Sequence, residues 1–206
     1  MAGDGGMVST MKHLCVFCGS NSGAIPAFEE AARAMGAMLA RRDITLVYGG
    51  GNIGLMGAIG DAVMAAGGKA IGIIPEALMR KEHGHRGITE LRVVKSMHER
   101  KAMMADLADG FVAMPGGYGT LEEYCEVLTW TQLGFHRKPC GLLNVAGFYD
   151  PLLAFFDRAT DQKFVRAEHR TLVLAGTDPE KLIDRMSAWK PPPVQKWFEN
   201  NAADQR

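Results

Sequence analysis

Gly110-Phe111-Val112-Ala113-Met114-Pro115-Gly116-Gly117-Tyr118-Gly119-Thr120-Leu121-Glu122-Glu123 decides the fold of this chain. An apolar run, a glycine-rich turn and a helical pattern continuing to Leu133 follow one another without interruption. Strand, turn and helix start in that order form an anion cradle. Glycines let the backbone close on a ligand, and the free N–H groups of the first helical turn point at it. Thr120 either caps that helix with its hydroxyl or binds a phosphate oxygen. Glu123 follows three residues later, so an acid stands beside the anion seat. That combination suits chemistry on a phosphorylated substrate.

Outward from this stretch, short apolar runs alternate with helical patterns. The runs read as strands are Leu14–Phe17, Thr45–Tyr48, Ala70–Ile74, Leu91–Val94, Gly110–Met114, Cys140–Leu143 and Thr171–Leu174. Between and after them lie helical patterns at Ala27–Arg41, Leu55–Ala66, Met97–Ala108, Thr120–Leu133, Pro151–Lys163 and Pro179–Trp189. Several strands are apolar throughout, as strands of a parallel sheet covered on both faces must be. The pattern predicts a Rossmann-like, doubly wound α/β fold with a mostly parallel sheet and helices on both faces. Ligands of such folds sit at the carboxyl ends of the strands, where every glycine loop of this chain falls.

The 206 residues suffice for one generous domain with a buried core. Lys plus Arg and Asp plus Glu both number 23, so no net field recruits nucleic acid or anionic lipid. No apolar run is long enough to span a bilayer, and Met1 to Thr10 lacks a charged-then-apolar leader pattern, so a cytoplasmic protein is expected. The domain is expected over residues 12–190, with a flexible tail at 1–11. Pro191-Pro192-Pro193 stops the last helix, and residues 191–206 form a second tail with Val194 and Trp197 as apolar anchors.

Two further glycine loops follow strands. Cys18-Gly19-Ser20-Asn21-Ser22-Gly23 is rich in hydroxyl donors. Gly49-Gly50-Gly51-Asn52-Ile53-Gly54 formally matches the dinucleotide fingerprint. That fingerprint wants an acid on the ribose about twenty residues on, and Glu76 falls too late behind Pro75. The loop at Pro115 lacks the Gly-Lys-Ser/Thr ending of a P-loop. A mononucleotide fits better than NAD or ATP.

Ser96-Met97-His98-Glu99-Arg100-Lys101 opens a helix after a strand. Cations there oppose the helix dipole, so Arg100 and Lys101 point to a shared anion rather than to a merely solvated face. Glu123 has two readings. Thr120-x-x-Glu123 is a capping box, in which the carboxylate only returns a hydrogen bond to the threonine backbone. Alternatively it is a catalytic acid beside a sugar.

Cys15 and Cys18 have CxxC spacing but lie in a strand, where residues three apart face opposite ways. With no second ligand pair they read as buried thiols rather than a metal or redox site. The histidines, including His83, His85 and His136, read as surface residues. The methionines read as core filler.

Met97-His98-Glu99-Arg100-Lys101 together with the Pro115–Glu123 motif closely resembles the LONELY GUY (LOG) family of cytokinin riboside 5′-monophosphate phosphoribohydrolases, often mislabelled lysine decarboxylases. The likeness extends through Cys15–Ser20, Val47–Gly51, Gly54–Gly57, Thr129-Trp130 and Gly141–Asn144, covering roughly residues 12–190. The resemblance implies a homodimer that hydrolyses AMP or an N6-substituted AMP to free base and ribose 5-phosphate, with no cofactor or metal. By it, Arg100 and Glu123 match the catalytic pair. Glu82, Lys101, Gly116, Gly117, Tyr118, Gly119, Thr120, Leu121, Glu122 and Thr129 match substrate-contacting positions, and Ser20, Gly50 and Gly51 of the first two loops join them. The chain departs from relatives at Asn52 and over Arg80–His85. A lysine decarboxylase would need pyridoxal phosphate on a Schiff-base lysine, for which only Lys101 is near. The remaining rival is a non-catalytic nucleotide carrier of the same fold. The expected subunit interface lies on the helix after Thr120, around Tyr124, Leu128 and Trp130.

Overall fold

The computed structural model describes residues 11–80 and 83–191. Lys81 and Glu82 lie outside the described residues, as do 1–10 and 192–206, which hold nearly all of both expected tails. Met11, counted with the first tail, is instead buried against Gly110.

The chain runs β1 His13–Phe17, α1 Pro26–Arg41, β2 Thr45–Tyr48, α2 Gly54–Ala65, β3 Ala70–Pro75, β4 Glu90–Val94, α3 Met97–Leu107, β5 Gly110–Ala113, α4 Tyr118–Leu133, β6 Cys140–Leu143, α5 Asp150–Asp161, α6 Ala167–Arg170, β7 Val173–Gly176 and α7 Pro179–Ser187. The strands form one sheet in the order β4-β3-β2-β1-β5-β6-β7. Every pairing is parallel, so the expected mostly parallel sheet is parallel throughout its described strands. The order reverses between β1 and β5, where Phe17 stands in register with Ala113.

Strand alternation divides the core. Leu14, Val16, Leu46, Tyr48 and Val112 face one layer with Met35, Leu39, Ile59, Leu182 and Ile183 of α1, α2 and α7. Cys15, Phe17, Val47, Phe111 and Ala113 face the other with Met104, Tyr124 and Val127 of α3 and α4. Cys15 and Cys18 accordingly fall in opposite layers, free and buried. Burial raises both thiols far above the usual range, so neither supplies a ready thiolate.

Element ends shift for local reasons. Pro26 and Pro179 each occupy an opening helical position, where the missing N–H costs nothing. The last strand starts two residues later than expected, because α6 and its closing bond from Leu172 N–H to the His169 carbonyl use the preceding residues. Gly134 ends α4 in the left-handed region, with its N–H on Thr131 and the Phe135 N–H on Trp130.

Three expectations are corrected. Tyr124 is completely buried rather than exposed, and Leu128 and Trp130 are half-buried against the core. His85 is 5% exposed rather than on the surface. His136 is half-buried between Phe111 and Trp130.

Burial and the nearby Lys138 charge lower His136 from 6.5 to about 4. Its fold therefore favours the neutral ring. The stability this contributes is complete above about pH 6.5 and is lost as pH falls through the folded value. Thermal melts at about pH 7.5 and about pH 4.5 should show a smaller loss for His136→Phe, which keeps the ring contacts, than for wild type. Equal losses would remove His136 as the cause.

Candidate active site

The cleft opens at the carboxyl ends of β1 and β5, where successive connections leave the sheet in opposite directions. Backbone bonds seal its floor. Gly19 N–H donates to Pro115 O at 3.0 Å, Met114 N–H to Phe17 O at 2.9 Å and Leu55 N–H to Gly19 O at 3.0 Å. The first two glycine loops touch at Gly54, whose φ is +58° and whose Cβ would lie 2.3 Å from the Ser20 carbonyl carbon. The result is a cleft of about 290 Å³ lined by residues of three loops and three helices, among them Ser20, Arg100, Thr120 and Glu123.

α4 begins at this cleft. Its N-cap is Gly117, so Tyr118, Gly119 and Thr120 form the first turn. The first intrahelical bond runs from Leu121 N–H to Gly117 O, leaving the preceding N–H groups free for a ligand. A side chain at Gly117 or Gly119 would meet nothing within 4 Å, so the approach is open. Thr120 is the third helical residue and is buried, not the cap. The capping box therefore does not form here, because a threonine already inside the helix cannot close it. The first turn carries no acid. The Glu123 backbone lies about 6–7.5 Å further along the axis than Gly119 and Tyr118.

α3 supplies the cation. Ser96 accepts from Glu99 N–H at 3.1 Å, and the Glu99 carboxylate returns to Lys95 N–H at 2.9 Å, a reciprocal cap not anticipated from sequence. This start places Arg100 at the fourth helical position, 5% exposed. Its Nη2 donates to the Gly49 carbonyl at 3.0 Å. The guanidinium occupies the space of a Gly49 side chain, since a Cβ there would stand 2.0 Å from Nη2. Both ionised groups act on the same buried thiol: the Glu123 carboxylate raises Cys15 and the Arg100 guanidinium lowers it, within a shift dominated by burial. Both residues line the cleft.

Lys101 turns the other way. Its Nζ lies 2.6 Å from Glu122 and 3.0 Å from Glu126, joining α3 to α4. Burial pulls its amine down, but the two carboxylates outweigh that and hold it above the ordinary lysine range. A Schiff-base lysine needs the neutral amine, so this one is unsuited to the role.

The remaining expected contacts separate. Ser20, Gly117, Tyr118, Gly119, Thr120 and Glu122 line the cleft. Gly116 lines an adjoining recess of about 220 Å³ walled by Phe28 and Phe148, and Ser20 and Gly117 border both spaces. Leu121 packs against the core. Gly50 and Gly51 are buried and do not line the cleft, and Gly51 pairs with Gly84. Thr129 lies in a separate recess beside Cys125 and Phe156. Glu82 lies outside the described residues. Met56, Leu78 and Met97 line the cleft without having been singled out. Their one legible signal is position, directly after strand ends or glycine loops.

Among the described residues no group of three or more His, Cys, Asp or Glu side chains is placed to hold a metal, and no helix is long and apolar enough to cross a membrane.

Residues 56–186 match the family model described as possible lysine decarboxylase. The chain is 48% identical over 183 residues to the cytokinin riboside 5′-monophosphate phosphoribohydrolase LOG7 of Arabidopsis thaliana, covering 89% of this chain and 84% of that protein. It is 47% identical to the rice (Oryza sativa subsp. japonica) enzyme LOG, across 89% of this chain and 76% of the other. Among solved structures, the molybdenum cofactor carrier protein of Chlamydomonas reinhardtii aligns with a TM-score of 0.66 at 20% identity, covering 86% of this chain and 99% of that one. The molybdenum cofactor binding protein of Rippkaea orientalis aligns at 0.65 and 22%, covering 86% and 96%. At such identities the two structures speak for the fold alone.

The Gly54 contact separates strain from crowding. Gly67 also has positive φ, +74°, but a side chain there would meet nothing within 4 Å. Gly67→Ala should cost about 1 kcal/mol, and Gly54→Ala about 2–4 kcal/mol because crowding adds to strain. Urea midpoints of the two variants measure the difference. Equal losses would mean the loops do not press on each other.

Proposed function

The chain belongs to the LONELY GUY (LOG) family, and we propose that it hydrolyses the N-glycosidic bond of cytokinin riboside 5′-monophosphates, or of AMP, to free base and ribose 5-phosphate. One observation carries the reading: an acid-free helix start, the buried Arg100 and the half-buried Glu123 share a single cleft.

The nucleotide enters phosphate first. The N–H groups at Tyr118, Gly119 and Thr120, with the hydroxyls of Thr120 and Ser20, hold the 5′-phosphate. The axial rise from Gly119 and Tyr118 to Glu123, about 6–7.5 Å, is close to the reach from a 5′-phosphate to C1′ of the same ribose. C1′ thus faces the carboxylate. As the C1′–N bond breaks, its electron pair leaves with the base and positive charge builds on the ribose. Glu123 stabilises that charge and takes a proton from the water that attacks C1′, while the departing base takes up a proton from solvent. Arg100, fixed on the Gly49 carbonyl, keeps Glu123 ionised and oriented. Phosphate contacts remote from the breaking bond supply positioning energy.

Lys101 ties the two catalytic helices together through Glu122 and Glu126, and Met56, Leu78 and Met97 give the base an apolar wall. Within the same reading the protein is a cytoplasmic homodimer with its catalytic domain over residues 12–190. Phe135, Phe155 and Phe164, all exposed, are apolar surface that a second subunit would cover.

Chromatography of AMP and isopentenyladenosine monophosphate incubated with wild type should show free base. Glu123→Gln and Arg100→Ala, each checked for folding, should release it at least about a hundredfold more slowly while still binding nucleotide. Binding without release by wild type would favour the carrier. Undiminished release by Glu123→Gln would assign the chemistry elsewhere.

A further inference from the structure

His85 lies in the segment between β3 and β4, remote in sequence from both glycine motifs, yet it is one of the few buried polar residues. Its Nδ1 is 2.9 Å from the Tyr48 hydroxyl at the end of β2, and its Nε2 is 3.2 Å from Asp61 Oδ1 on α2. The bonding sense follows from chemistry. A carboxylate only accepts, so Nε2 carries a proton, and in the neutral ring Nδ1 accepts from the phenol. Burial holds the Tyr48 phenol well above its ordinary range, so its hydroxyl stays protonated and able to donate. Helix α2 makes room for the pair at Gly60, where a Cβ would come within 2.9 Å of both His85 Nδ1 and Tyr48 Oη.

The backbone around His85 is tied to the second glycine loop. His85 N–H donates to Gly50 O at 2.8 Å, Asn52 N–H donates to His83 O at 3.1 Å, and Gly84 pairs with Gly51 between them. The loop held in this way begins at Gly49, whose carbonyl receives Arg100. Glycine peptides have no side chains to fix them, so an outside anchor must set the direction of that carbonyl.

We propose that His85, braced between Tyr48 and Asp61, is a positioning residue: through the Gly84–Gly51 pairing it orients the Gly49 carbonyl and thereby the Arg100 guanidinium. It touches no substrate. The inference rests on the reading of Arg100 given above, and it extends the working site to a buried hydrogen-bond relay on the opposite side of the second loop.

Two variants test it. Tyr48→Phe removes one hydroxyl and keeps the ring. The double variant Tyr48→Phe/His85→Phe removes both polar partners at once, which spares the fold an orphaned buried group. Competent sites are counted by calorimetric titration with ribose 5-phosphate, and base release is expressed per competent site. Both variants should lose about tenfold to a hundredfold in kcat per site, the usual effect of slight misplacement, with ribose 5-phosphate affinity within about threefold of wild type. The loss should persist in the double variant whatever its melting temperature. A kcat per site equal to wild type in Tyr48→Phe or in the double variant would reduce His85 to a stabilising role and overturn the inference. Absence of base release by wild type is a different outcome: it overturns the hydrolase reading and takes this inference with it.

Discussion

The site depends on one contact, the buried Arg100 guanidinium on the Gly49 carbonyl. Burying a full charge is costly unless it is hydrogen-bonded and paired, and removing a partner costs more than the pair itself contributes. Gly49 serves in two ways. It offers a bare carbonyl at the end of β2, and its missing side chain is the space in which the guanidinium lies. Any side chain at 49 would evict the cation. The segments that meet there, β2, α3 and the second glycine loop, have to be placed accurately for the charge to be tolerated at all.

Around that contact the fold separates opposite charges along a short path. The start of α4 is kept free of acids and open to solvent, which suits a phosphate. Glu123 begins the next turn, and Arg100 reaches the same cleft from α3. Lys101, adjacent in sequence to Arg100, points to Glu122 and Glu126 instead. Two neighbouring cations thus perform different tasks because successive helical residues project about 100° apart. One enters the cleft, and the other fastens α3 to α4 through Glu126 and through Glu122, which lines the same cleft.

Much of this was legible before any coordinates. The apolar runs at Leu14, Thr45 and Gly110 could only be strands of a sheet covered on both faces, and the glycine loops after them marked its ligand-bearing edge. Arg100 was legible because a cation early in a helix needs an anion to justify it. What escaped depended on tertiary neighbours. The Thr120-x-x-Glu123 spacing is a sound capping signal, but Gly117 starts the helix three residues earlier and places the threonine inside it. Tyr124 looked exposed because its helix has little amphipathic contrast, whereas the sheet above β5 covers it fully. His85 sits in a polar stretch that reads as surface. The pairing of Gly84 with Gly51 and the backbone bonds beside it hold it against α2, and no local pattern encodes that. Gly50 and Gly51, read as ligand contacts, are buried and outside the cleft lining, and Gly51 pairs with Gly84.

The central claim is one of orientation: a nucleotide lies with its phosphate on the first turn of α4 and its glycosidic carbon toward Glu123 and Arg100. A crystal structure of Glu123→Gln soaked with AMP tests it most directly. The account predicts phosphate oxygens within hydrogen-bond distance of the Tyr118, Gly119 or Thr120 N–H groups, with ribose C1′ facing residue 123. A nucleotide bound with its base on that helix start, or with C1′ turned away from residues 100 and 123, would contradict it.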